Sequence, residues 1–193
     1  DILVFAVALL PFQGWANDSD CVDLFERHCE DVRLCGNAVI DTIYNANRIS
    51  GATAQRIAEL NDKTLGLLIT ADVPAASAGR RSELSRTEAQ ELLKEVSNNP
   101  VASLAAYDKY DPESRGIGFC FGRAMTAHLT ALWDMKLDNG SIRKMWAVGS
   151  LQAGGRSWRY HVTTLIKGEG GVWYAIDPIF GRVMTAKEWL TSM

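Results

Sequence analysis

From residue 142 onward the hydrophobic pattern changes its period. Ile142 to Leu151, Trp158 to Lys167 and Val172 to Asp177 are rich in β-branched and aromatic residues and are separated by glycine turns. This is the pattern of three consecutive antiparallel strands. Upstream the apolar spacing is helical. Val22, Phe25, Cys29, Val32, Val39 and Ile43 mark one or two amphipathic helices between Asp20 and Ala46, with a break near Cys35-Gly36. Ile57, Leu60, Leu65 and Leu68 mark another over Thr53 to Leu68, weakened by Gly66. Ser85-Arg86-Thr87-Glu88 is a capping box in front of Ala89 to Val96, and Asn98-Asn99-Pro100 stops that helix. Val101 to Tyr107 predicts a short helix, Met125, Leu129, Leu132 and Trp133 form one face of a longer one, and Thr185 opens a last one over Ala186 to Leu190. The pattern as a whole is that of an α+β fold, with N-terminal helices followed by a cysteine-bearing helix packed on an antiparallel sheet.

The apolar run Ile2 to Phe12, followed by Gly14-Trp15-Ala16, reads as the core and cleavage site of a secretory signal peptide over residues 1–16. The alternative is a buried N-terminal helix or strand. The run is too short to span a bilayer, so the expectation is a secreted or periplasmic protein with no membrane attachment once the leader is removed. A helical region at 17–82 and an α+β core at 83–193 follow. Between them Ala71 to Ser82, with Pro74 and Gly79-Arg80-Arg81, reads as an exposed loop suited to proteolytic processing.

The chain has 193 residues, 47% hydrophobic and 22% charged, enough for one substantial core but not for a second full domain. Net charge is −3 with scattered basic residues, which argues against nucleic acid as a partner. Four cysteines in an exported chain suggest disulfides. Cys21, Cys29 and Cys35 cluster while Cys120 stands apart, so we expect one disulfide within the cluster, of open pairing, and a free thiol at Cys120. The cluster lacks the short Cys spacing of zinc knuckles, and no metal is expected.

Gly116-Ile117-Gly118-Phe119-Cys120 reads as a loosened turn entering a helix. A thiol there lies near unpaired backbone N–H groups and the positive end of the helix dipole, both of which favour a thiolate. The alternative is a buried apolar cysteine. Further on, a three-residue loop Gly168-Glu169-Gly170 would pair Lys167 with Gly171 and set His161 opposite Asp177 on one face, leaving Val162, Thr164 and Ile166 to pack on the helices. A carboxylate beside an imidazole fixes its tautomer and leaves the other ring nitrogen for a nucleophile. Cys120, His161 and Asp177 thus compose a Cys-His-Asp triad, in the order expected of a papain/transglutaminase-like core. His128 lies about 12 Å along the helix from Cys120, too far to serve as its base. His28 falls in the cysteine cluster on a solvated face. Trp158, Tyr160 and Trp173 are candidates to line an acyl pocket, or else strand packing.

The segments Cys120-Phe121-Gly122-Arg123-Ala124, Trp158-Arg159-Tyr160-His161-Val162 and Val172-Trp173-Tyr174-Ala175-Ile176-Asp177-Pro178, with the Glu188-Trp189-Leu190 helix, resemble the bacterial secreted protein-glutaminases. The resemblance covers roughly Gly116 to Leu190. It implies hydrolysis of glutamine side-chain amides in protein or peptide substrates, with release of ammonia and no cofactor, and it makes the 17–82 region a counterpart of the family's helical pro-region. Thr163-Thr164 and Ile179-Phe180 depart from the family pattern and bear on the substrate. The same chemistry also serves transglutaminases and cysteine peptidases. A reading of another class is an exported, non-catalytic binding module on the same fold.

Overall fold

The computed structural model describes residues 5–8, 54–70, 73, 75–106, 109, 119–153 and 156–193. The three strands expected from the period-2 segments form, as β2 (Ile142–Ala153), β3 (Arg156–Lys167) and β4 (Trp173–Ile176). They belong to a five-stranded antiparallel sheet in chain order, flanked by β1 (Phe5–Ala8) and β5 (Met184–Thr185). β1 comes from the stretch read as a leader and pairs with β2 through Phe5 opposite Val148 and Ala8 opposite Met145. The rest of that stretch, the helices expected between Asp20 and Ala46, and Cys21, Cys29 and Cys35 lie outside the described residues.

Four α-helices accompany the sheet among the described residues: α1 (Ala54–Thr70), α2 (Arg86–Asn98), α3 (Cys120–Trp133) and α4 (Ala186–Ser192). α1 runs straight through Gly66, since one glycine costs a helix only about 1 kcal/mol. α2 and α4 both start at reciprocal capping boxes, Ser85 with Glu88 and Thr185 with Glu188. The short helix expected over Val101 to Tyr107 shrinks to one 3-10 turn at Leu104–Ala106. The Asn99 side chain accepts the N–H groups of Val101 and Ala102 at 2.9 Å each, as an N-cap residue does, and so starts this turn. The loop before α2 is tied down. Arg81 bridges Leu137, and Asp138 accepts the Ser77 N–H at 2.9 Å.

Helices cover both faces of the sheet. On one, Ile142, Ile166, Tyr174 and Ile176 pack on Leu84, α2 (Ala89, Leu92, Val96) and α3 (Ala127, Ala131). On the other, Met145, Ala147, Leu165, Trp173 and Ala175 pack on Leu68 of α1 and on Ala186, Trp189 and Leu190 of α4. The sequence pattern anticipates helices on the first face only. The second layer arises because the His161 face is as apolar as its opposite, with Leu165, Trp173 and Ala175 all buried, and must also be covered.

The β3–β4 register also differs from the three-residue loop expected. Lys167 pairs with Trp173, Leu165 with Ala175 and Thr164 with Ile176, so the connection is Gly168 to Val172. Gly170 and Gly171 adopt left-handed φ of 74° and 78°, and Gly168 donates its N–H to the Val172 carbonyl at 2.6 Å. Glycine adopts that conformation without steric penalty, so the chain can turn over this longer connection. The slip is an even one, so every side chain keeps the face assigned to it.

Candidate active site

Cys120 is the first residue of α3 and is a free thiol, 4% exposed. Phe119, at the N-cap, makes no side-chain capping bond to the helix. Gly116 to Gly118, read as the loosened turn, lie outside the described residues. Cys120 and Ala124 pack on Val162 of β3, with Trp146 and Tyr160 against them. Next to Val162, His161 occupies the part of β3 that outruns β4, whose pairing stops at Thr164 and Ile176. At that point the chain leaves the sheet. Asp177 caps the 3-10 turn Pro178–Phe180, accepting the Ile179 N–H at 3.2 Å, and turns its carboxylate toward His161.

The three groups meet. His161 Nε2 lies 2.7 Å from Asp177 Oδ2, with both side chains about 95% buried, and His161 is hydrogen-bonded to Cys120 as well. With Nε2 engaged by the carboxylate, Nδ1 is the ring nitrogen left for the thiol. The register slip removes the direct opposition of His161 and Asp177 expected from sequence. The pair survives because both stay on one face and because Asp177 is freed from the ladder.

Trp189 of α4, fully buried, completes the arrangement. Its Nε1 donates to Asp177 Oδ2 at 2.7 Å, and its ring stacks on His161 with centroids 5.8 Å apart and planes at 27°. One residue thus both restrains the carboxylate and fixes the imidazole plane. The electrostatics follow from these contacts. Burial alone would push the His161 pKa down, but the hydrogen bonds and charges of Asp177 and Cys120 outweigh it and raise it from 6.5 to about 9. Burial pushes the Asp177 carboxyl up, and His161, Trp189 and the Ile179 N–H more than reverse this, holding it below the ordinary range.

The aromatic residues divide. Tyr160 is part of the Cys120 cluster, and its phenol is pushed up by burial and by the charge at Cys120. Trp173 does not line the site. It is 4% exposed in the opposite core, with Arg143 stacked on its ring at 5.6 Å, because its strand position points it under α1 and α4. Trp158 is placed opposite Leu151 on β3, and its side chain lies outside the described residues. Trp146, which the sequence pattern does not single out, stands where Trp173 was expected. Its ring lies between Phe121 and Tyr160, at centroid distances of 6.4 and 5.7 Å, and its Nε1 is buried without an acceptor among the described residues. Phe121, the residue after the cysteine, is half exposed over it. No alternation or spacing in the sequence distinguishes Trp146 from a core residue, and only cross-strand pairing with Val162 brings it to Cys120.

Comparison of the chain with protein-family models, with curated proteins and with solved structures finds no match in any of the three.

Proposed function

We propose that this protein is an exported cysteine amidohydrolase that deamidates glutamine side chains in protein substrates, on a papain/transglutaminase-like core. The observation that carries the reading is the unbroken row from the Trp189 indole through Asp177 and His161 to Cys120, at the start of a helix. A histidine held with a pKa of about 9 is protonated at neutral pH, so the proton required by the leaving group already sits on the imidazole. The Cys120 sulfur attacks the carboxamide carbon and forms a C–S bond. The oxyanion that develops is served by the Cys120 backbone N–H and by the unpartnered Trp146 Nε1. Collapse of the tetrahedral species breaks the C–N bond, His161 passes its proton to the nitrogen, and ammonia leaves a thioester. Water then attacks the thioester carbon and gives one proton to His161, and the C–S bond breaks, which releases a glutamate side chain and returns the Cys120 sulfur beside the protonated imidazole. Every proton is carried by His161, with Asp177 as its orienting group.

Phe121 and Trp146, with Tyr160 behind them, form the aromatic wall against which the substrate's methylene groups would lie. Cys120 is buried, and residues 17–82 on this reading include a pro-region, so the test has two arms. Ammonia release from casein is measured before and after a light protease nick, with Cys120→Ala as control, and the products are weighed with and without a primary amine. Cys120-dependent ammonia with a mass gain of about 1 Da supports deamidation. Amine incorporation would make the protein a transglutaminase, and backbone cleavage a peptidase. Silence in both arms, with Cys120 slow to alkylate, would sink the enzyme reading in favour of a binding module.

A further inference from the structure

One group behind the nucleophile is not used by this mechanism. Between the sheet and α3 the facing pairs of β2 and β3 run Trp146 and Val162, Lys144 and Thr164, Ile142 and Ile166. The middle pair is polar in an otherwise apolar seam. Lys144 Nζ donates to the Thr164 hydroxyl at 2.8 Å and to the Ala124 carbonyl at 3.1 Å, and the Thr164 hydroxyl donates to that same carbonyl. Ala124 is one turn along α3 from Cys120, is 2% exposed, and shares the Cys120 and Val162 cluster. Among the described residues no carboxylate pairs with the ammonium. Burial alone brings the Lys144 pKa down to about 7, and that of His128 on α3 is depressed by burial and then by the Lys144 charge.

A helix-interior carbonyl already has its i+4 amide as a partner, so two added donors are not needed to satisfy it. An apolar pair would seal the seam at lower desolvation cost. What hydrogen bonds supply and apolar contact does not is a fixed position along the strand. The geometry points to Lys144 and Thr164 as positioning residues that clamp the first turn of α3 on the sheet and so set Cys120 against His161. Both sit on the strands that build the site. β3 carries the base at 161, the seat of the thiol at 162 and the clamp at 164.

The assignment of a catalytic benefit rests on the amidohydrolase reading, but the positioning itself has a readout without substrate. Because Cys120 helps hold His161 near its raised pKa, the His161 ring titration, followed by NMR, reports how well the thiol is placed. Lys144→Met and Thr164→Val are compared with wild type, with Cys120→Ala as the limit and Thr164→Ser as the conservative control. We expect the His161 midpoint in both clamp variants to move toward the Cys120→Ala value, and kcat for a glutamine peptide to fall at least tenfold with KM within about twofold, since misplacement by about an ångström can cost a hundredfold. Thr164→Ser restores both, and the Lys144→Met urea midpoint holds or rises. An unchanged His161 midpoint, or loss of activity only in step with stability and no better in Thr164→Ser than in Thr164→Val, overturns the proposal. If the midpoint moves as expected while wild type releases no ammonia, the clamp stands and the deamidase reading falls.

Discussion

Replacing Asp177 by asparagine keeps the shape of the buried group and removes its charge, and the consequence should appear in how stability depends on pH. In the native protein the His161 pKa is raised from 6.5 to about 9. A raised pKa contributes stability that is fully present below pH 6.5 and is lost as pH rises through about 9. At about 1.4 kcal/mol per pH unit the whole raise corresponds to about 3 kcal/mol. Asp177 and Cys120 supply this and also offset the downward pull of burial, so removing Asp177 removes about 3 kcal/mol of it. Lys144 works in the opposite sense. Its pKa is lowered from 10.5 to about 7, so between those values the unfolded chain holds a proton that the folded one does not, and stability rises with pH. The two slopes oppose each other between pH 7 and 9, and a wild-type curve alone would hide the histidine. The difference between wild type and Asp177→Asn isolates it, because Lys144 is common to both. Urea unfolding at half-unit steps from pH 6 to 9.5 should show wild type favoured at the acid end, the gap closing by about 3 kcal/mol at the alkaline end. NMR should place the His161 midpoint of the variant below 6.5, since burial then acts with only Cys120 against it. Parallel stability curves, or a His161 midpoint unmoved by the substitution, would refute the account of the pair.

Two further substitutions separate parts of the site. Trp189→Phe keeps a ring against His161 but deletes the indole donor to Asp177; a hydrogen bond to a buried charge is worth about 2 kcal/mol, so the urea midpoint and the His161 pKa should both fall, and kcat with them by about tenfold. No change in the His161 titration would show that the indole does not restrain the pair. Trp146→Phe deletes a buried donor that has no acceptor among the described residues, so stability should change by less than about 1 kcal/mol while kcat falls by about a hundredfold, the usual effect of losing an oxyanion donor. Kinetics unaltered within threefold would remove Trp146 from the proposed mechanism.

The α+β organisation was legible because its signals are local. β-branched and aromatic runs over 142–177 form strands by their own pleated packing, and Ser85 with Glu88 and Thr185 with Glu188 start helices by reciprocal hydrogen bonds within four residues. The position of Cys120 at a helix start was legible for the same reason. So was the sharing of one face by His161 and Asp177, because side chains alternate with a period of two and an even slip in register leaves faces unchanged. The three-residue loop was not borne out, since the glycine run allowed more than one turn and the left-handed pair Gly170-Gly171 settled the wider one.

The remaining features were decided by what comes together across the fold. Trp189, Trp146 and Lys144 each carry an ordinary local pattern, one on an amphipathic helix and two on an alternating strand. Their roles depend on partners 12, 16 and 20 positions away: Asp177 by hydrogen bond, Val162 by cross-strand pairing, and the Ala124 carbonyl by hydrogen bond. By itself the sequence determined the three strands over 142–177, the helix starts at Arg86, Cys120 and Ala186, the face each of those strand residues takes, and which residues offer a thiol, an imidazole and a carboxylate. Only the tertiary structure decided how those residues meet and what surrounds them: the covering of the His161 face by α1 and α4, the exit of β4 that frees Asp177, and the burial that sets the His161 and Lys144 pKa values. Hydrogen bonding within a turn and side-chain alternation are properties of neighbouring residues, whereas burial and long-range contacts exist only once distant segments have been packed together.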